Sequence, residues 1–202
     1  MDQREVWNNI STDWREFREN PPAEVKEFLA SKDGLVLDLA CGSGRNFLNE
    51  RMIGLDFSEK MLHYARKNSK TIPLVMGNAE SLPFADNSFD SIIFVASLHC
   101  IKYNKQDKVL SEVKRVAKDG ASIFISVWNK DQPRFAKAKK ESFVPWKSHG
   151  KIYKRYYYLY TADELEATMK KYFSGVKVFG SAARAEGRYP KDLMATAKVR
   201  KN

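Results

Sequence analysis

Cysteine is scarce in this chain of 202 residues, which contains only Cys41 and Cys100. The two are far apart and match neither a disulfide framework nor the spacing of a metal site, so the sequence predicts a reduced, cytoplasmic protein that binds no metal. Long apolar runs are also missing, which excludes a helix that spans a membrane. The N-terminal residues are polar and charged, and we therefore expect no signal peptide.

The net charge of +10 is unevenly distributed along the chain. Residues 1–101 contain 11 Lys and Arg against 15 Asp and Glu, whereas residues 102–202 contain 24 against 10. Such an asymmetry is expected where a polyanion binds, and a nucleic acid is the partner that it favours. The alternative is a solvated lysine-rich surface of the kind found in heat-adapted proteins.

A glycine-rich turn follows the first predicted strand, which leads through Asp38 to Gly42 and Gly44. The two glycines allow a sharp turn and a close approach of the backbone to a ligand. Asp56 ends the next strand, where a carboxylate can accept two hydrogen bonds from a ribose diol. A third glycine is missing, so a dinucleotide fingerprint is a poor match. Asp38 suits a cofactor with an amine and a positive charge. The alternative for the whole motif is a structural turn in another doubly wound fold.

The hydrophobic pattern predicts one α/β domain over residues 1–202, with a Rossmann-like, mostly parallel seven-stranded sheet and an antiparallel edge. The predicted strands are residues 35–39, 52–55, 74–76, 91–95, 121–127, 176–179 and 194–199. The predicted helices are residues 3–19, 23–31, 58–68, 105–117 and 162–172, and Ser58 and Thr161 are N-cap residues. The first crossover is so short that its helix has about two turns at most. Residues 1–30 are predicted to form a helical lid over the site.

Residues at the carboxyl ends of strands are candidates for the site, because ligands bind there in open α/β sheets. The segment Asn78-Ala79-Glu80 follows the third strand, where an adenine edge would be read, although Asn78 and Glu80 are equally consistent with turn residues. His99 follows the fourth strand and is the strongest polar candidate. A histidine satisfied by a local backbone contact is the alternative.

A basic insertion, residues 129–155, precedes the last predicted helix. Its length without clear periodicity is typical of a functional or mobile segment. Basic residues that alternate with aromatic ones suit a nucleic-acid strand, by phosphate contact and base stacking. A lysine-rich flap anchored by Trp146 is the alternative. The tyrosine-rich row of residues 156–160 is interpreted equally well as core or as a binding face.

The ordered set of Asp-x-x-Cys-Gly-x-Gly, Gly-x-Asp-x-Ser, Asn78-Ala79-Glu80 and Phe89-Asp90 resembles the class I S-adenosylmethionine-dependent methyltransferases. This resemblance implies S-adenosylmethionine as the cofactor. The cofactor-binding residues that it implies are Asp38, Ala40, Cys41, Gly42, Gly44, Asp56, Phe57, Ser58, Asn78, Ala79, Glu80 and Ala96.

A narrower resemblance rests on the short first crossover, the Ala-Ser-Leu-His run at 96–99, Phe143-Val144-Pro145-Trp146 and the tyrosine row. These features look like the tRNA wobble-uridine carboxymethyl methyltransferases, which include the yeast-type enzyme and the methyltransferase domain of the animal AlkB-homologue fusion. Members of that family esterify a 5-carboxymethyluridine at anticodon position 34. They work with a small zinc-binding activator subunit. The resemblance therefore implies a tRNA anticodon stem-loop and this activator as partners, the activator joining by edge-strand addition.

Carried across by position, the resemblance implies that Arg18 and His99 are the catalytic residues that bind the acceptor carboxylate. A carboxylate is already anionic near neutral pH and needs no general base. Two departures from the family concern its histidines, because Cys100 and Tyr158 stand in their places. The predicted RNA contacts are Arg18, Lys137, Lys139, Lys140, Trp146, Lys151, Arg155 and Tyr158.

Two other functions compete with this one. The first is a small-molecule methyltransferase acting on a quinone precursor, a phenol or an amine, in which His99 is a general base and the basic charge is incidental. The second is a cofactor-binding scaffold without activity, which the intact cofactor motifs disfavour.

Overall fold

The computed structural model describes residues 2–17, 19–181 and 190–201. The strands are β1 Val36–Leu39, β2 Met52–Asp56, β3 Leu74–Met76, β4 Phe89–Val95, β5 Ala117–Trp128, β6 Glu141–Ser148, β7 Lys151–Tyr158, β8 Ser174–Gly180 and β9 Asp192–Lys198. The helices are α1 Gln3–Phe17, α2 Ala23–Ala30, α3 Glu59–Asn68, α4 Tyr103–Val116 and α5 Ala162–Lys170. Arg18 lies outside the described residues, and so do Arg184, Glu186 and Arg188, which stand between the last two predicted strands.

Seven strands form one sheet in the order β3-β2-β1-β4-β5-β9-β8. The pairs from β3 to β5 are parallel, and β9 lies antiparallel between β5 and β8. The predicted fold class is therefore confirmed. Apolar residues of α4 and α5 cover one face of the sheet, and those of α2 cover the other. Among the described residues, no helix is both long enough and apolar enough to cross a bilayer.

The first crossover differs from its prediction, because turns and bends replace the expected short helix between β1 and β2. Phe47 fills the space beneath this turn. A Cβ atom on Gly44 would lie 2.5 Å from the Phe47 ring, and one on Gly54 would lie 2.7 Å from it. The absence of a Cβ atom at Gly44 and Gly54 therefore makes room for the Phe47 ring.

The basic insertion is an ordered hairpin rather than an aperiodic segment. Strands β6 and β7 pair from Glu141 with Tyr158 to Ser148 with Lys151. The connecting residues His149 and Gly150 have φ angles of 46° and 75°, as a tight hairpin turn requires. The sequence signal was weak, because His-Gly replaces the usual Asn-Gly and because a proline interrupts β6. The tyrosine row is core, since Tyr156, Tyr157, Tyr158 and Tyr160 are buried.

Replacing Gly44 by alanine tests the Phe47 packing. The residue has a φ of 80°, which costs an L-residue about 1–2 kcal/mol, and the clash adds about 1–3 kcal/mol. Gly120→Ala is the matched control, because its φ is 74° and its Cβ would meet nothing within 4 Å. We expect Gly44→Ala to lower the free energy of unfolding clearly more than Gly120→Ala in urea titrations. Equal losses would contradict the packing argument.

Candidate active site

A cavity of about 680 Å³ lies at the carboxyl ends of β1, β2, β3 and β4. Its size is within the range of small-molecule sites, about 300–1,000 Å³. Residues of α1, among them Trp7 and Trp14, form part of its wall. The predicted cofactor residues that line it are Ala40, Cys41, Gly42, Asp56, Phe57, Asn78, Ala79, Glu80 and Ala96.

The glycine turn presents its backbone to this cavity. Gly42 has a φ of 56°, and a Cβ added there would meet nothing within 4 Å, so the position faces open space. A ligand can therefore approach the main chain closely at Gly42. Cys41 also lines the cavity, and burial raises the pKa of its thiol well above the usual value, which favours the protonated thiol. Gly44 does not line the cavity and serves the packing of Phe47.

The Asp56 carboxylate joins the ends of the neighbouring strands β1 and β2. Its Oδ2 accepts a hydrogen bond from Gly42 N at 2.9 Å, and its Oδ1 accepts one from Ser58 N at 2.8 Å. A carboxylate oxygen accepts two hydrogen bonds, so each oxygen can still accept one from a ribose hydroxyl. The side chain is buried, and this burial raises the pKa of Asp56 to about 6.

Asp38 differs from its prediction, because it is fully buried and does not line the cavity. Between Asp38 and the cavity lies Asn46, whose Nδ2 points at both carboxylate oxygens at 3.4 and 3.5 Å. Asn46 is 3% exposed and lines the cavity, and its Oδ1 has no hydrogen-bond partner among the described residues. A buried amide oxygen of this kind fits the ammonium group of a cofactor such as S-adenosylmethionine. Burial also raises the pKa of Asp38 to about 7.

Asn46 was missed by the sequence reasoning. It lies in the shortened crossover, where no periodicity or motif singled it out. The available signal was an amide side chain two residues after the glycine turn, at the carboxyl end of β1.

Ser58 also differs from its prediction as a cofactor contact. It is fully buried outside the cavity lining, where its Oγ accepts a hydrogen bond from Met61 N at 3.2 Å and caps α3. The same hydroxyl donates to Asn8 Oδ1 at 2.6 Å. Thr12 and Tyr64 share a second hydrogen bond between α1 and α3 at 2.8 Å. Ser58 therefore holds α1 beside the cavity.

The segment after β3 has both of the roles that the sequence left open, since its residues line the cavity and also form a turn. Asn78 and Glu80 both line the cavity. Asn78 Oδ1 accepts a hydrogen bond from Glu80 N at 2.9 Å, which makes it a turn residue as well. Glu80 forms a salt bridge of 2.9 Å with Lys105.

His99 lies outside the cavity lining and is 1% exposed. The short 3-10 turn Leu98–Cys100 directs it into the core, where its ring stacks on Tyr157 at 5.1 Å and on Trp128 at 5.5 Å. Cys100, from the same turn, lines the cavity instead. Strand-end position alone therefore predicted a turn that reaches the cavity, but the geometry of this turn places Cys100 rather than His99 in the cavity lining.

Arg155 is likewise buried, so it is not on the surface where the predicted phosphate contact requires it. Its guanidinium donates to Tyr157 Oη at 2.8 Å and lies about 5 Å from the rings of Trp14 and Trp146. This cluster, in which Arg155 and Tyr157 are buried and the two tryptophans are half-buried, joins β7 to α1 and β6.

The other predicted RNA contacts separate into two groups. Lys137, Lys139, Lys140 and Lys151 are exposed, and Lys140 forms a salt bridge with Glu164. Trp146 is half-buried, and Tyr158 is buried beneath Tyr103, with 4.4 Å between the ring centroids. Lys137, Lys139 and Lys151 thus remain available to a polyanion, whereas the aromatic residues pack within the protein.

Comparison with known proteins decides the family. The model of a family described as "Methyltransferase domain" matches residues 37–125. A protein of Encephalitozoon cuniculi that is named as a methyltransferase is 33% identical over 143 residues, which cover 67% of this chain and 67% of that protein. This chain belongs to the class I S-adenosylmethionine-dependent methyltransferases. Its cofactor is S-adenosylmethionine, as predicted, and the cavity described above fits it.

More distant relatives of this methyltransferase differ in substrate. The tRNA (carboxymethyluridine(34)-5-O)-methyltransferase alkbh8 of Xenopus tropicalis is 29% identical over 152 residues, which cover 69% of this chain and 24% of that protein. The demethylmenaquinone methyltransferase of Renibacterium salmoninarum is 34% identical over 96 residues, which cover 45% of this chain and 40% of that protein. The chain therefore spans less than half the length of these two relatives.

A solved structure shares the whole fold of this methyltransferase. It is a complex of the Haloferax volcanii Trm112 methyltransferase activator with a methyltransferase. The match has a TM-score of 0.73 and 18% identity, and it covers 100% of this chain and 99% of that chain.

The raised pKa values of Asp38 and Asp56 predict how cofactor affinity depends on pH. Both carboxyls are protonated below their pKa values of about 7 and 6, and a protonated carboxyl lacks the negative charge that attracts a cationic cofactor. We therefore expect the affinity for S-adenosylmethionine to rise between about pH 5 and 7, with proton release, as measured by calorimetry. Asp56→Asn removes one of the two carboxyls that titrate in this range. We expect this variant to bind S-adenosylmethionine more weakly and with less dependence on pH. A flat profile in the parent enzyme would contradict this prediction.

Proposed function

We propose that this methyltransferase esterifies the carboxymethyl group of a wobble uridine in tRNA, together with a small zinc-binding activator subunit. The observation that carries the proposal is the position of the basic hairpin. Phe143 of β6 and Tyr156 of β7 line the cofactor cavity, so the hairpin is continuous with the active site. The stretch 130–155, which includes most of this hairpin, has 9 basic residues against 2 acidic ones. A polyanionic substrate on the hairpin can therefore reach the cofactor.

Within this proposal, the chain aligns two bound groups rather than supplying a base. S-adenosylmethionine, when bound, supplies a methyl group on a sulfonium. Asp56 holds the ribose diol, and Asn46, backed by Asp38, holds the ammonium group. The acceptor carboxylate is already ionised, so the protein has to position it in line with the methyl group, which contributes much of the rate enhancement in such transfers. His99 has an indirect role, since it fixes the turn from which Cys100 lines the cavity.

The exposed lysines of the insertion are proposed to contact RNA phosphates. Lys137, Lys139 and Lys151 are the exposed members of the predicted set that form no salt bridge within the described part of the chain, whereas Lys140 is paired with Glu164. Contacts of this kind release counterions from RNA, so binding weakens steeply as salt rises. The predicted role of Arg18 at the acceptor rests on the resemblance alone and is not part of this proposal.

The activator is proposed to add a strand to the free edge of β3. Gly54 N donates to Pro73 O and Gly77 N donates to Asp56 O, both at 3.0 Å, so the odd-numbered residues face β2. The main-chain groups of Leu74 and Met76 then face outward, because they alternate along a strand. The Met76 side chain is 62% exposed. The edge adjoins the cavity-lining segment Gly77–Glu80, so a bound strand would order the active site as well.

A small-molecule acceptor is the second candidate. It is favoured by the similarity to the demethylmenaquinone methyltransferase, which covers 45% of this chain. In that case the basic hairpin has no part in substrate binding.

The decisive experiment is methyl transfer from labelled S-adenosylmethionine to total tRNA, with and without the zinc-binding activator, followed by nucleoside analysis. We expect a labelled carboxymethyluridine ester, formed faster with the activator because the β3 edge is then covered. Absence of label from RNA in both reactions, with the cofactor still bound, would overturn the proposal. A quinone precursor, a phenol and an amine would then be tested as acceptors.

Met76→Pro tests the edge-strand proposal. Proline removes the outward N–H of residue 76 but none of the hydrogen bonds to β2, and Val75 already has the extended conformation that a following proline requires. We expect at least tenfold weaker activator binding in a pull-down titration. Met76→Ala is the matched control, because it loses the same side chain and keeps the N–H. Equal binding by the two variants would contradict edge-strand addition at β3.

A further inference from the structure

We propose that a groove beside the cofactor cavity binds the acceptor base, and that Lys102 binds its carboxylate arm. This acceptor groove has a volume of about 430 Å³ and lies between the start of α4 and the hairpin. The inference rests on the proposed function and names the subsite that the function requires. The residues that line the groove are Lys102, Tyr103, Asn104, Glu141, Phe143 and Tyr156.

The acceptor groove is continuous with the cofactor cavity. Lys102, Phe143 and Tyr156 line both of them. A ring bound in the groove can therefore extend a substituent into the cavity without any movement of the backbone. This continuity is what methyl transfer to a side arm requires, because the acceptor oxygen must come close to the methyl group while the ring stays outside.

Two exposed rings give the groove a surface for stacking. Phe143 is 60% exposed and Tyr103 is 45% exposed. Tyr103 is supported from behind by Tyr158, with 4.4 Å between the centroids and 15° between the planes. Phe143 packs edge-on against Tyr156 at 5.8 Å. Single-stranded bases are commonly bound on aromatic rings of this kind, since every base has a π-face.

Hydrogen bonds fix the two walls of the groove against each other. Tyr103 N donates to Tyr156 Oη at 3.1 Å, and Tyr156 Oη donates to Glu141 Oε2 at 2.9 Å. The start of α4 is thereby tied to both strands of the hairpin. The rings of Tyr103 and Phe143 are consequently held in place before a base binds, which reduces the entropy lost on binding.

The charges of the groove suit a uracil ring with an anionic arm. Lys102 is exposed at the N-terminus of α4, and it has no salt bridge within the described part of the chain. The neighbouring cation Lys105 is already paired with Glu80. Lys102 is therefore available to the carboxylate arm. The Glu141 carboxylate can accept a hydrogen bond from the ring N3–H of uracil, a donor that a quinone precursor lacks.

The test compares two anticodon stem-loop RNAs that differ only at position 34. One carries 5-carboxymethyluridine and the other carries its neutral carbamoylmethyl analogue, and both are bound to the enzyme with its activator. We expect the parent enzyme to bind the carboxylate RNA roughly tenfold more tightly, as is typical of a charge-assisted hydrogen bond. Lys102→Met should remove this preference. Lys108→Met is the control, since Lys108 is exposed on the same helix outside the groove.

Stacking is tested by Phe143→Ala in steady-state methylation of the carboxylate RNA. We expect KM to rise about tenfold, with a smaller effect on kcat, as for loss of one base stack. Ile152→Ala is the control, because Ile152 is 64% exposed on the same hairpin and does not line the groove. Unchanged cofactor binding verifies that each variant is folded.

The outcomes separate this inference from the proposed function. Ester formation by the parent enzyme, with Lys102→Met and Phe143→Ala behaving like their controls, would overturn the acceptor groove alone. Absence of ester in the parent enzyme would overturn both. If Lys102→Met keeps the preference for the carboxylate RNA, another cation binds the carboxylate arm. That result would also overturn the inference.

Discussion

The buried carboxylate of Asp56 is the interaction on which the rest of the site depends. It accepts one backbone N–H from the glycine turn after β1 and one from the start of α3, so a single side chain fixes the ends of two neighbouring strands. Ser58 extends this link to α1 through Asn8. Burial makes ionisation of Asp56 unfavourable, and a cofactor that brings hydroxyl donors offsets that cost. Ligand binding and local stability are thus coupled at this residue.

A second constraint acts at the other wall of the cavity. The buried guanidinium of Arg155 lies among the rings of Trp14, Trp146 and Tyr157, which belong to α1, β6 and β7. Desolvated cation–π contacts of this kind are stronger than exposed ones. The hairpin and the N-terminal helix are therefore held together as one wall. The hairpin then brings a basic surface, with Phe143 at its inner end, to the mouth of the site.

The sequence predicted the fold because hydrophobic periodicity and the spacing of short motifs are local properties of the chain. Apolar runs such as residues 91–95, the Ser58 cap and the capping box at Thr161 each depend on a few neighbouring residues. The hairpin escaped prediction because its signal depends on pairing across a turn of unusual composition. Asp56 lines the cavity, as its position at a strand end in an open α/β sheet led us to expect.

The sequence by itself determined the class of protein, the mostly parallel sheet with its antiparallel edge, and the glycine turn that faces the cavity. Only the tertiary structure decided which side chains reach the cavity. His99 and Cys100 are adjacent in sequence, yet the 3-10 turn buries His99 in the core and places Cys100 in the cavity lining. Asn46 lines the cavity because the shortened crossover brings it over Asp38. Side-chain direction at such turns depends on packing between distant segments, and no local pattern encodes it.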